Sequence, residues 1–235
     1  MARLDLDAAA RETLAEARAG MALYLPIAAA FAFLPNLLTA RFGPPLPRTP
    51  ADMTTMILLI DVALPAAIGA IGQLAIVRLA LDKVRPTVGW ALRHAVMLLP
   101  IVLLAALLSG AVVTAGLLAL VLPGLYLAGR LALVLPVVAA EGGSAVGAVF
   151  RSWALTEGQG WRTFGFLLLW FVVFIIISIV TGGLGAAIGT VLTLSGAKAV
   201  GGLVVLVISS ATAAVVSIYN AIAVAVVYRR LAATA

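Results

Sequence analysis

TFGFLLLWFVVFIIISIVTGGLGAAIGTV, residues 163–191, carries no charged side chain from end to end. A helix needs about 20 apolar residues to cross a hydrocarbon layer of about 30 Å. This stretch exceeds that, and it does not alternate as a membrane barrel strand would. It therefore predicts a transmembrane helix. Working outward, five more apolar segments are predicted spans: 20–40 (GMALYLPIAAAFAFLPNLLTA), 54–81, 96–121, 202–228 and 125–140, the last short at 16 residues. The predicted fold is all-α, a polytopic bundle of six transmembrane helices forming a single membrane domain over 1–235. Leu122-Pro123-Gly124 divides the third span from the fourth, as a loop or as a kink.

Composition agrees. The 235 residues are 64% hydrophobic and 10% charged, with a mean hydropathy of +1.22. Soluble domains run near 25% charged, so too little polar surface exists for a water-soluble globule. Disorder, which needs low hydrophobicity and high charge, is excluded as well. There is no Cys, hence no disulfide, thiolate metal site or cysteine nucleophile.

The net charge of +6 follows topology rather than nucleic acid. Arg3, Arg11, Arg18, Arg78, Lys83, Arg85, Arg93, Arg151, Arg162, Arg229 and Arg230 fall on one side of the six-span layout. Arg41, Arg48 and Lys198 fall on the other, and Arg130 lies within a span. The positive-inside bias places both termini in the cytoplasm, and the expected location is a bacterial inner membrane. The outer loop RFGPPLPRTPADM is Pro-rich, stiff and extended.

Between spans, amphipathic stretches predict interfacial helices. One is the N-terminal MARLDLDAAARETLAEARAG, whose early acids exclude a secretory signal. Val88-Gly89-Trp90-Ala91-Leu92-Arg93 precedes the third span, and Val146-Gly147-Ala148-Val149-Phe150-Arg151 precedes the fifth, at a constant offset of 58 residues. Together they suggest a three-fold repeat of interfacial helix plus hairpin.

Polar residues inside spans are the candidate site residues, because each is costly in hydrocarbon. By helical rise, Asp61 lies ~10 Å and Arg130 ~8 Å below the outer surface, which makes them a candidate ion pair, a packing pin or a binding or relay site. Gln73 and Asn220 each lie eight residues from the inner end of their spans and form a candidate interhelical amide pair. Glu141 is placed to pair with Arg151 or Arg162. Gly185 and Gly189 form a small-residue face for close packing, and Gly182 and Gly183 offer the alternative of local unwinding around a cavity. His94 is the only histidine, and no metalloprotease, nucleophile-elbow, P-loop or dinucleotide string occurs. No metal and no cofactor are expected.

LPGLYLAGRLALVLPVVAAEGGSAVGAVFRSWALTEGQGWRTF, residues 122–164, resembles the glycerophosphoryl diester phosphodiesterase membrane-domain family and related uncharacterised bacterial inner-membrane proteins. The matching residues are Pro123, Gly124, Tyr126, Arg130, Pro136, Glu141, Arg151, Ser152, Trp153, Leu155, Thr156, Gly158 and Trp161. The resemblance implies a stand-alone membrane domain, since the diesterase chemistry of such proteins belongs to a separate soluble barrel. The function expected is therefore non-enzymatic: interaction with membrane lipid or a small amphiphile, in envelope maintenance or transport. Two alternatives stay open. One is a secondary transporter using Asp61 and Arg130. The other is a membrane scaffold for a second copy or a protein partner.

Overall fold

A computed structural model of the protein describes residues 5–43, 55–82 and 87–233, without the side chains of residues 61 and 62. Arg3, most of the Pro-rich outer loop, Lys83 and Arg85 lie outside the described residues. The helices are α1 (Leu6–Phe42), α2 (Thr55–Leu81), α3 (Val88–Ala119), α4 (Val121–Leu131), α5 (Val134–Glu141), α6 (Ala145–Leu155), α7 (Gly160–Leu194) and α8 (Lys198–Ala232). Among the described residues six candidate spans result, with α4 and α5 together making the fourth. Large apolar side chains point away from the protein: Leu118 is 83% exposed, Leu107 69% and Ile179 68%. A surface so apolar requires acyl chains as its solvent. This is an integral membrane protein.

The six spans return the chain to its starting side. Glu12 near the start of α1 meets Arg229 at 3.0 Å and Arg230 at 2.7 Å near the end of α8. We call this the terminal end of the bundle. The last turns of α8 form its hub, since every residue from Ala221 to Tyr228 is buried. Arginines here also close helix ends. The last carbonyls of a helix lack partners within it. Arg229 Nη1 donates to the Ala80 carbonyl at 2.7 Å, and Arg78 Nη1 donates to the Ala139 carbonyl at 2.7 Å. Residues counted for positive charge are thus also caps. Farther out, α7 and α8 pack chiefly on each other. The Thr212 and Thr181 hydroxyls meet at 3.0 Å, and Gly189 faces Gly201 so closely that a Cβ at Gly201 would lie 2.5 Å from the Gly189 carbonyl oxygen.

Several expectations change. The N-terminal stretch is not a separate surface helix, and neither is 88–97. Each is the opening of a long helix, capped by Asp5 and Thr87 respectively. Nothing in either stretch breaks helical hydrogen bonding, so the helix simply continues into the span. Only α6 stands apart, capped by Ser144, and the two matched stretches adopt different forms. The third and fourth spans part at Leu120, which is extended at φ −162°, ψ 143°. Pro123 lies in the first turn of α4, where a missing N–H costs nothing. Gly124 serves close packing, because a Cβ there would collide with Leu117. The fourth span is itself interrupted at Ala132 and Leu133.

α1 and α2 share a device. Each holds a wide π-helical turn, Ala29–Phe33 and Leu58–Ala63. Each turn ends two residues before a proline, Pro35 and Pro65. A proline ring clashes with the carbonyl four residues back and donates no hydrogen bond, and widening the preceding turn relieves both faults. Such turns often flank functional sites.

Candidate functional site

Two polar constellations sit in the bundle. The first closes the break in the fourth span. Backbone groups left open in a membrane must find partners inside the protein. At the end of α4 the Arg130 carbonyl accepts from the Ser152 hydroxyl at 2.8 Å and the Thr156 hydroxyl at 3.0 Å. In return, Arg130 Nη1 donates to the Thr156 carbonyl at 2.7 Å. The guanidinium lies 4.1 Å over the Trp153 ring and 5.8 Å from that of Tyr126. Arg130 is only 3% exposed. α6 doubles back along α5 to deliver these partners, so the Arg-Ser-Trp and Leu-Thr strings are two halves of one cap.

The chain must then turn sharply into α7. Gly158 does this at φ +69°, a left-handed conformation costly for any residue with a Cβ. Gly158→Ala should cost about 1–2 kcal/mol, read as a lower midpoint in detergent unfolding. Past the turn, α4 and α7 touch through glycine. A Cβ at Gly129 would lie 2.5 Å from the Gly160 carbonyl oxygen. Trp161 covers the junction, 5.7 Å from the Tyr126 ring. Beneath it, Glu141 accepts from Arg151 Nε at 3.1 Å and from the Tyr228 hydroxyl at 2.8 Å.

Arg130 therefore packs against the start of α7 and the end of α6, toward the terminal end. A count of helical rise assumes an unbroken fourth span, and the chain is interrupted at Ala132 and Leu133. The Asp61 carboxylate lies outside the described residues, and with it the pairing of Asp61 to Arg130.

The second constellation is a groove. Gln73 Nε2 donates to Ser217 Oγ at 3.3 Å, and Asn220 Nδ2 approaches Gln73 Oε1 at 3.5 Å. These residues stand where two cavities meet. One, of about 770 Å³, runs between α7 and α8 along Ser178, Thr181, Gly182, Ser209 and Thr212. The other, of about 380 Å³, lies among α1, α2, α5 and α8 and is walled by Pro35, Asn36 and Pro65 beside the two π turns. Both include Gln73, Ser217 and Asn220. Binding cavities usually fall between about 300 and 1,000 Å³ and combine apolar walls with a few polar groups. Asn220 is exposed, although an amide has two donors and two acceptor sites to satisfy.

Sequence reading singled out Gln73 and Asn220 but not the hydroxyls that extend them. A signal existed: Ser209, Thr212, Ser217 and Asn220 fall at i, i+3, i+8 and i+11, one face of a helix. Gly129 and Gly160 had no such signal, because their meaning depends on which helices touch.

A family model described as the membrane domain of glycerophosphoryl diester phosphodiesterase matches residues 98–235. No curated protein and no solved structure matches the chain.

Proposed function

This chain belongs to the family of the membrane domain of glycerophosphoryl diester phosphodiesterase, and from that premise we propose that it is a non-enzymatic, amphiphile-binding protein of a bacterial inner membrane. Both termini face the cytoplasm in this reading, which the clustering of Arg78, Arg151, Arg229 and Arg230 at the terminal end supports. One observation carries the proposal. A cavity of about 770 Å³ with a polar floor opens inside the membrane-spanning part of the bundle. An exposed amide facing acyl chains is costly. A ligand with polar and apolar parts removes that cost, and its tails match the apolar walls. Envelope lipid is the partner this chemistry selects.

Native mass spectrometry of the purified full chain tests the reading. The wild type should retain a lipid through mild detergent. Asn220→Leu removes the exposed amide and only one long hydrogen bond, worth ~0.6 kcal/mol on average between membrane helices. The variant should fold and should lose that lipid. Equal retention by wild type and variant would exclude the amide junction as the binding point.

A further inference from the structure

We propose that the groove takes a two-chain lipid with an uncharged, hydroxyl-bearing head, of the diacylglycerol class, seated at the Gln73–Ser217–Asn220 junction. This rests on the reading above and adds the identity of the ligand class.

The first argument is charge. Every described residue lining the two cavities is neutral. Hydroxyls and carboxamides can both donate and accept. They match the hydroxyl and ester oxygens of a neutral glycerolipid. A phosphate brought among them would meet no arginine or lysine. Burying an unpaired charge is far costlier than burying a hydroxyl that finds partners.

The second argument is depth. Gln73 lies eight residues before Leu81, and Asn220 eight before Tyr228. That is about 12 Å of helix from the terminal end. Carrying a phosphate this far from the arginines of the terminal end costs more than carrying a hydroxyl.

The third argument is shape. Two cavities diverge from one polar junction. The larger continues past Phe171, Ile175 and Ile179. The smaller continues past Phe31, Ala32 and Ala66. A forked ligand fits, with its head at the junction and one chain in each arm.

The test uses the full chain in lipid nanodiscs loaded with equal amounts of 1,2-dioleoylglycerol or dioleoylphosphatidic acid, which share their chains and differ in the phosphate. Retention is read by native mass spectrometry. Dioleoylglycerol should be retained at least about tenfold more than dioleoylphosphatidic acid, since each 1.4 kcal/mol of penalty is a factor of ten. Gly182→Leu, which fills the larger arm, should reduce dioleoylglycerol to the level of a lipid that does not bind. Equal or greater retention of phosphatidic acid, lost in Gly182→Leu, would overturn the neutral-head assignment while leaving the groove as the site. Dioleoylglycerol retained unchanged by Gly182→Leu would overturn both.

Discussion

Arg130→Met is expected to lower the stability of the folded bundle by about 4 kcal/mol. The substitution nearly conserves volume, so it isolates the guanidinium. A hydrogen bond to a charged group contributes about 1.5–3 kcal/mol, and here it satisfies the Thr156 carbonyl at 2.7 Å. A desolvated cation over an aromatic face adds about 2 kcal/mol, and the Trp153 ring lies 4.1 Å away. Against these stands the cost of burying a cation, which would favour methionine if the cation were poorly held. The held geometry wins, because methionine gives up both the stack on Trp153 and the shorter of the two hydrogen bonds on the Thr156 carbonyl, which keeps only the Gln159 N–H at 3.0 Å. Denaturation in mixed micelles, followed by tryptophan fluorescence, measures the loss. Unchanged stability would show that the guanidinium does not lock the span.

Two companion variants locate the effect. Arg130→Lys keeps the charge but not the planar stack, and should lose about 2 kcal/mol. Thr156→Val removes the hydroxyl that donates to the Arg130 carbonyl at 3.0 Å. Combined with Arg130→Met it should cost less than the separate losses added together, since both act on one reciprocal cap. Independent effects would separate the two halves of the family motif.

The spans were legible because acyl-chain solvation leaves a long-range compositional mark that no other fold class mimics. Residues 163–191 alone decide the class, and they fall inside α7. Helix continuity was less legible. Amphipathic openings such as 88–97 look interfacial, but the backbone has no reason to stop there. Breaks were misread for the opposite reason. Proline and glycine at 123–124 suggest a turn, yet the proline fits the first helical turn and the glycine serves contact with Leu117. The true break, Leu120, is an ordinary apolar residue. The family motif showed which residues matter around Arg130 but not how, because a cap formed between α4 and α6 depends on tertiary folding. Counting residues from matching helix ends puts Gln73 and Asn220 at one level, and their side chains lie 3.5 Å apart. For Arg130 the premise of such a count, an unbroken span, does not hold, because the helix is interrupted at Ala132 and Leu133.

Gly182→Leu should separate binding from folding more sharply than any other single change. Gly182 lines the larger cavity, and a Cβ built there meets nothing within 4 Å. Glycine in a helix interior is about 0.8–1 kcal/mol worse than alanine, and leucine is nearly as good as alanine. Helix stability should therefore rise by about 0.5–1 kcal/mol. A leucine side chain projecting into the groove occupies space that an acyl chain would need, so lipid retention should fall at least about tenfold. Gly183 provides the control. It is also exposed and also open to an added Cβ, but it stands on the neighbouring helical position rather than in the groove lining. Gly183→Leu should show the same gain in stability with lipid retained. Gly189→Leu should do neither, because its Cβ would come within 2.7 Å of Val205 and 3.1 Å of the Gly201 carbonyl, forcing α7 and α8 apart. If Gly182→Leu and Gly183→Leu lost lipid equally, the effect would lie in the leucine rather than in the cavity, and the groove between α7 and α8 would no longer account for binding.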